Sequence, residues 1–141
     1  MKYYSLNNKK HQVTFEQAVI NGLAPDKGLY FPECLTKLPD TFFENIENLS
    51  NVEISFKVIQ QFVGDEIPET ELKRIVSETL SFDFPLVKIE ENVYSLELFH
   101  GPTMAFKDVG ARFMSRCWAY FNRNKNQQNT VLVATSGDTG G

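Results

Sequence analysis

The sequence predicts an α/β protein, with a mostly helical amino-terminal domain in residues 1–92 and a strand–helix–strand unit in residues 93–141. Between residues 38 and 82, apolar side chains recur three and four positions apart, which is the spacing of one buried side of a helix. From residue 93 onward, an extended, an amphipathic and a β-branched segment follow one another, as in one unit of a parallel sheet. The 141 residues, of which 42% are hydrophobic, suffice for one substantial core but not for two full domains.

The amino-terminal region predicts a short strand in residues 2–5 and a helix that begins near Thr14. Thr14 and Gln17 have the spacing of a capping box, in which each side chain binds the backbone N–H of the other residue. Gly22 ends that helix, because glycine accepts the backbone angles found at a helix terminus. Residues 22–33 then predict turns followed by an extended apolar exit.

Three further helices are predicted between residues 38 and 82. The first begins after Pro39, the second begins at Ser50 and ends at Gly64, and the third has Pro68 and acidic residues in its first turn. Their apolar side chains at helical spacing are interpreted as core residues: Phe43, Ile46, Val52, Phe56, Ile59, Val63, Leu72, Ile75, Val76 and Leu80.

The stretch from residue 99 to residue 108 joins a predicted strand, residues 93–98, to an amphipathic helix. Its Gly–Pro pair ends the strand, since proline cannot donate a hydrogen bond to a sheet. The helix that follows has one apolar side, formed by Phe106, Gly110, Phe113, Cys117 and Phe121.

Lys107 is predicted to lie in the first turn of this helix, where free N–H groups and the helix dipole disfavour a positive charge. Asp108, beside it, carries the charge that a helix N-terminus favours. An uncharged lysine amine is a nucleophile that can bond to an aldehyde or a ketone. The alternative is an ordinary solvated lysine, the commonest state of that residue.

Residues 130–135 form a continuous apolar, β-branched run, which predicts a strand buried on both faces of a parallel sheet. The small residues that follow, Ser136, Gly137, Asp138 and Thr139, allow a sharp turn whose N–H groups can bind an anion. An ordinary glycine turn into a helix is the alternative interpretation. The loop matches neither the phosphate-binding pattern of nucleotide hydrolases nor that of dinucleotide sites.

Composition and charge argue against several classes of function. The net charge of −4 argues against nucleic-acid binding, although residues 100–141 have a positive balance that suits a small anion. Two histidines and two cysteines without metal-ligand spacing argue against a metal site, and Cys34 and Cys117 are interpreted as buried reduced thiols. No apolar signal segment and no membrane span is recognisable, which predicts a cytoplasmic protein without a membrane partner.

Two stretches carry a resemblance to a known family. Residues 97–108, ELFHGPTMAFKD, and residues 134–140, ATSGDTG, resemble the threonine synthase family, as do residues 2–5 and 22–33. The members of that family are pyridoxal-phosphate enzymes of fold type II, the group similar to the tryptophan synthase β subunit. The family more often has glycine where Lys27 stands, a departure that affects the local turn.

The resemblance implies that Lys107 holds pyridoxal phosphate covalently and is the catalytic residue. It also implies that Ser136, Gly137, Asp138 and Thr139 form the loop that closes over the cofactor and the substrate carboxylate. The implied reaction, that of a carbon–oxygen lyase, converts the small molecule O-phosphohomoserine and water to threonine and phosphate. Residue His100 lies in the first stretch, where it either orients the cofactor environment or is a structural histidine.

The resemblance further implies an amino-terminal fragment, because the family's phosphate-binding loop and its contact to the pyridine nitrogen come from later sequence. We therefore expect residues 93–141 to be the start of the cofactor-binding domain, and the chain alone to be inactive and to bind the cofactor weakly or not at all. Two alternatives stay open. One is a related phospholyase that acts on another phosphorylated amino acid, and the other is a non-catalytic domain that docks onto a partner through its apolar surface.

Overall fold

The computed structural model describes residues 1–125, 130–135 and 137. Helices and two small sheets alternate along the chain, so the predicted mixed α/β class is confirmed. The elements, in chain order, are β1 Tyr3–Ser5, β2 Gln12–Val13, α1 Phe15–Asn21, β3 Tyr30–Pro32, α2 Asp40–Glu44, a 3-10 turn Ile46–Asn48, α3 Asn51–Val63, α4 Glu69–Thr79, β4 Leu86–Glu90, β5 Val93–Leu96 and α5 Lys107–Asn122.

The first sheet has the strand order β2-β1-β3, and both of its strand pairs are antiparallel. Tyr3 pairs with Val13 on one side and with Pro32 on the other. Its hydroxyl donates to the carbonyl of Phe62 at 2.8 Å, and its ring packs 6.0 Å from the ring of Phe15. The predicted strand at residues 2–5 is thereby confirmed as the central strand, which ties the sheet to the helices.

Helix α1 begins with the predicted capping box, in which Thr14 and Gln17 bind each other's backbone N–H groups. It ends at Gly22, whose φ of 69° lies in the left-handed region that favours glycine. A distant residue completes the N-terminus, since the Glu66 carboxylate accepts from the N–H groups of Phe15 and Glu16 at 3.0 and 2.8 Å. These contacts satisfy backbone donors that the helix itself leaves free.

Helices α3 and α4 pack side by side, and the predicted buried sides of both are confirmed. Ser50 and Glu53 form a second capping box, and α3 ends at Gly64. The side chains of Val63, Leu72 and Ile75 are at most 1% exposed. Fully burying one such aliphatic side chain stabilises a protein by about 1.5–3 kcal/mol relative to leaving it exposed.

The assignment of Phe43 and Ile46 to the core was wrong. Their side chains are 53% and 37% exposed. Phe43 lies in helix α2, which has only five residues and buries none of them, and Ile46 lies in the 3-10 turn that follows, which also buries none. A helical spacing of apolar residues therefore did not specify burial in so short an element.

Helix α5 packs against α1 and α4 and completes the core. Cys117 is fully buried, Phe121 is 9% exposed, and the ring of Phe121 lies 6.0 Å from that of Phe15. On the neighbouring side of the helix, the Arg112 guanidinium donates to the Thr79 carbonyl at 3.1 Å and to the Ser81 hydroxyl at 2.8 Å. The half of α5 that follows its first turns is therefore fixed to the amino-terminal helices.

Strands β4 and β5 form an antiparallel hairpin. The predicted strand that begins at Val93 is confirmed, whereas its partner, β4, was not predicted. Nearly all of the hairpin's residues are exposed on both faces. The domain boundary proposed between residues 92 and 93 lies in the turn of this hairpin and stays a proposal.

The expectation of a buried strand at residues 130–135 was wrong for the structure of this chain. The segment has no strand structure, and Val131, Leu132 and Val133 are 71%, 91% and 57% exposed. A strand that is buried on both faces needs paired neighbours and covering helices. Neither of the two sheets in the described chain includes this segment as a strand. The interpretation of Cys34 as a buried thiol was also wrong, because that residue is exposed.

Candidate functional site

The loop between β5 and α5 is organised by a buried carboxylate. Asp108 is only 4% exposed, and its Oδ2 accepts from the Thr103 N–H at 2.9 Å. Its Oδ1 accepts from the Thr103 hydroxyl at 2.8 Å. Gly101 lies against the same carboxylate, since a Cβ atom placed on Gly101 would come within 2.4 Å of Asp108 Oδ2. This close approach explains why a glycine is needed at position 101.

Tight turns lead from this loop into the helix. The Met104 N–H donates to the Gly101 carbonyl at 3.0 Å, and the Asp108 N–H donates to the Ala105 carbonyl at 3.1 Å. Met104 has a φ of 55°, in the left-handed region that costs a non-glycine residue about 1–2 kcal/mol. Such conformations persist where surrounding contacts hold them, and they cluster at functional sites.

Lys107 is the first residue of α5, so the predicted position in the first turn is confirmed. The side chain is half-buried, and it makes no hydrogen bond or ion pair with another residue that the structure describes. The preceding Phe106 is 59% exposed and therefore shields the amine only in part. An amine at this end of a helix that forms no hydrogen bond or ion pair in the described chain is available as a nucleophile toward a carbonyl group.

The positive charge of Lys107 acts on the carboxyl group of the neighbouring Asp108. Burial raises the pKa of the Asp108 carboxyl, but the hydrogen bonds from Thr103 and the positive charge of Lys107 outweigh burial. The pKa therefore lies below its usual value, and the group remains a carboxylate at neutral pH. The sequence had indicated Asp108 only as an acid suited to a helix N-terminus, and its contacts with Thr103 were not foreseen.

His100 is held by its neighbours in the same loop. Its Nε2 lies 2.6 Å from Glu97 Oε2, and its ring stacks on that of Phe99 at 4.9 Å between centroids. Glu97 was not singled out from the sequence, although its spacing three residues before His100 made contact feasible. This arrangement gives His100 a satisfied polar partner and leaves both proposed roles for it open.

The second predicted part of the site falls largely outside the described residues. Ser136, Asp138 and Thr139 lie there, so their assignment to the cofactor stays a prediction. Gly137 is described, with a φ of 128°, and its N–H donates to the Thr135 hydroxyl at 3.1 Å. The rest of the turn expected after residue 135 lies outside the described residues and stays a prediction. Among the described residues, no group of three or more histidine, cysteine and acidic side chains could hold a metal ion.

The chain is similar to known proteins along nearly its whole length. Residues 2–80 match the family described as threonine synthase N terminus. The chain is 43% identical over 140 residues to threonine synthase of Escherichia coli (strain K12) and 44% identical to that of Haemophilus influenzae. Each of these alignments covers 99% of this chain and 32% of the relative, so the chain spans about a third of the length of the curated relatives it matches.

Solved structures show the same relationship. A crystal structure of threonine synthase from Brucella melitensis with bound pyridoxal phosphate superimposes with a TM-score of 0.90 at 37% identity. That superposition covers 99% of this chain and 31% of the solved chain. The crystal structure from Escherichia coli superimposes with a TM-score of 0.81 at 41% identity, over 86% of this chain and 28% of that one.

The similarity of the fold to these solved threonine synthases places the chain in the fold-type II class of α/β proteins. Within that class, the family match covers more than half of the chain. The chain belongs to the threonine synthase family. No helix in the described part of the chain is long and apolar enough to cross a membrane.

Proposed function

We propose that this chain is the amino-terminal part of a threonine synthase in which Lys107 binds pyridoxal phosphate covalently. The observation that carries the proposal is the position of Lys107 at the N-terminus of α5, where its amine forms no hydrogen bond or ion pair with a described residue. The cofactor presents an aldehyde, and an amine so placed is the group that bonds to aldehydes. The pyridoxal phosphate bound to the Brucella melitensis threonine synthase supports the choice of cofactor.

The proposed roles divide between two segments. Lys107 anchors the cofactor and is the catalytic residue. The loop of Ser136, Gly137, Asp138 and Thr139 contacts the cofactor and the carboxylate of the substrate through N–H and hydroxyl donors. Asp138 organises this loop, because its negative charge would repel a carboxylate.

The proposed reaction converts O-phosphohomoserine and water to threonine and phosphate in the cytoplasm. When bound, pyridoxal phosphate supplies a ring that accepts the electrons left on a substrate carbon after a proton is removed. The amine of Lys107, once the substrate amine has displaced it, acts as the base that takes protons from the substrate carbons. Its distance from those carbons depends on the loop of residues 101–106, which fixes the start of α5.

The proposal is tested by reducing the full-length protein with borohydride in the presence of pyridoxal phosphate and by mapping the labelled peptide. We expect one label per chain, on Lys107, and none in a Lys107→Arg variant. Lys88→Arg, on an exposed strand, is the matched control and should label as the wild type does. A label that persists in the Lys107→Arg variant would refute the assignment.

Activity assays on the same preparations decide the substrate. Release of phosphate should be fastest with O-phosphohomoserine, and other phosphorylated amino acids serve as comparison substrates. Preference for one of those would show a related phospholyase in place of threonine synthase. For the chain of 141 residues alone, we expect no turnover and little labelling, so stoichiometric labelling of Lys107 in that chain would contradict this part of the proposal.

A further inference from the structure

The Asp108 carboxylate accepts its hydrogen bonds from a residue that precedes it in the chain. Both oxygens accept from Thr103, five residues earlier, through its N–H and its hydroxyl. An acid in the first turn of a helix ordinarily serves the free N–H groups of that helix. In the described chain, the hydrogen bonds of this carboxylate instead close the loop that precedes the helix.

The loop also encloses the carboxylate from a second side. Gly101 is buried, and a Cβ atom there would lie 2.4 Å from Asp108 Oδ2 and 2.9 Å from Asp108 Cβ. The carboxylate therefore lies between Thr103 and the Gly101 backbone with 4% of its residue exposed. A side chain held on two sides in this way has little freedom to change its rotamer.

Lys107 precedes Asp108 directly in the chain, so contacts that hold the backbone of Asp108 also restrict the backbone of Lys107. Met104, between Thr103 and Lys107, has a φ of 55°, a conformation that relaxes unless other contacts hold it. The two hydrogen bonds between Thr103 and Asp108 join the residues before and after Met104 and so hold its backbone in place. Their loss would free the turn, and the lysine amine would then sample several positions relative to α5.

We propose that Asp108 is a positioning residue, which acts through Thr103 to hold the loop of residues 101–106 so that the Lys107 amine meets the cofactor aldehyde in one orientation. This inference rests on the proposed function of Lys107. It assigns to Asp108 no contact with the cofactor or the substrate. A misplacement of about 1 Å in a reacting group can lower a rate by about 100-fold, so the effect on bond formation is measurable.

The test uses the full-length protein, freed of cofactor, and follows the absorbance of the lysine–pyridoxal phosphate adduct after pyridoxal phosphate is added. We expect Asp108→Ala to slow attachment by about 10-fold to 100-fold. Thr103→Val, which removes one of the two hydrogen bonds, should slow it by a smaller factor. Thr103→Ser keeps the hydroxyl and should restore the wild-type rate.

Asp108→Asn separates hydrogen bonding from charge. The asparagine oxygen can accept from the Thr103 N–H while its amide donates to the Thr103 oxygen, so the loop should close and attachment should stay near the wild-type rate. An Asp108→Asn variant as slow as Asp108→Ala, together with a normal Thr103→Val variant, would show an effect of charge and would overturn the proposal.

Two controls keep the outcomes distinct. Asp40→Ala removes another acid from the first turn of a helix, and it should leave the attachment rate unchanged. The melting temperature of each cofactor-free variant shows whether it is folded, and if Asp108→Ala is not, the Thr103 pair decides the question. Failure of the wild type to label on Lys107 would refute the proposed function, whereas normal labelling at an unchanged rate in Asp108→Ala and Thr103→Val would refute only this inference.

Discussion

Replacing Gly101 by alanine and replacing Gly110 by alanine should change stability in opposite directions. At Gly101 the added methyl group would lie 2.4 Å from Asp108 Oδ2, and the carboxylate cannot yield without leaving Thr103. The φ of Gly101 is not in the left-handed region, so the cost arises from this contact and not from the backbone. Overpacking of this kind destabilises by about 1–3 kcal/mol.

At Gly110 the added methyl group would meet no atom within 4 Å apart from its chain neighbours and the backbone of its own helix. This glycine lies in the interior of α5, where alanine is more favourable by about 0.5–1 kcal/mol. The same chemical change should therefore lower the free energy of unfolding at one site and raise it at the other. The two variants should differ by about 1.5–4 kcal/mol, the sum of these two effects.

Urea unfolding followed by circular dichroism measures both free energies under one set of conditions. In thermal unfolding, each kcal/mol should appear as a shift of about 2–4 °C in the melting temperature. The Gly101→Ala variant should also attach pyridoxal phosphate more slowly, whereas the Gly110→Ala variant should not. Equal free energies of unfolding for the two variants would show that the close approach of Gly101 to Asp108 does not require a glycine, and would refute the proposed packing of the loop.

Two further predictions concern stability. Lys27 has a φ of 64°, so Lys27→Gly should raise the free energy of unfolding by about 0.5–1 kcal/mol, and an unchanged or lower value in urea unfolding would contradict this. Burial raises the pKa of the Cys117 thiol to about 12, and burial together with the charge of Glu66 raises that of the Tyr3 hydroxyl to about 12. In the unfolded chain these groups lose their protons at lower pH than in the folded chain. The free energy of unfolding should therefore be unaffected by them below about pH 9 and should fall as the pH rises from there toward 12. Urea unfolding at several pH values measures this decrease in the free energy of unfolding. In Cys117→Ala the decrease just above about pH 9 should be smaller. A free energy of unfolding that rises between about pH 9 and 12 would contradict the raised pKa values.

Local signals in the sequence predicted the helices well. Thr14 and Gln17 specify the start of α1 through contacts between residues three apart, and Gly64 ends α3 because its φ of 64° is one that glycine readily adopts. The position of Lys107 followed from a Gly–Pro break and from the helical spacing of the residues after it. Each of these features depends on residues that are close in the chain, which is why the sequence alone indicated them.

Features that depend on distant partners were missed or wrong. The capping of α1 by Glu66 joins residues fifty positions apart, and no local sequence pattern predicts such a contact. Residues 130–135 have the composition of a buried strand, but pairing partners, and not composition, make a strand. In the site, the sequence indicated Asp108 from its position on the helix, whereas its hydrogen bonds come from Thr103 in the preceding loop.

The contact between Arg112 and the end of α4 has a mechanical consequence. The guanidinium binds the carbonyls of Thr79 and Glu78, which helix α4 leaves free at its C-terminus, and Arg116 pairs with the Glu78 carboxylate at 2.9 Å. Helix α5 therefore cannot rotate or slide without pulling on α4. A displacement of α4 will therefore also move the start of α5, where Lys107 lies.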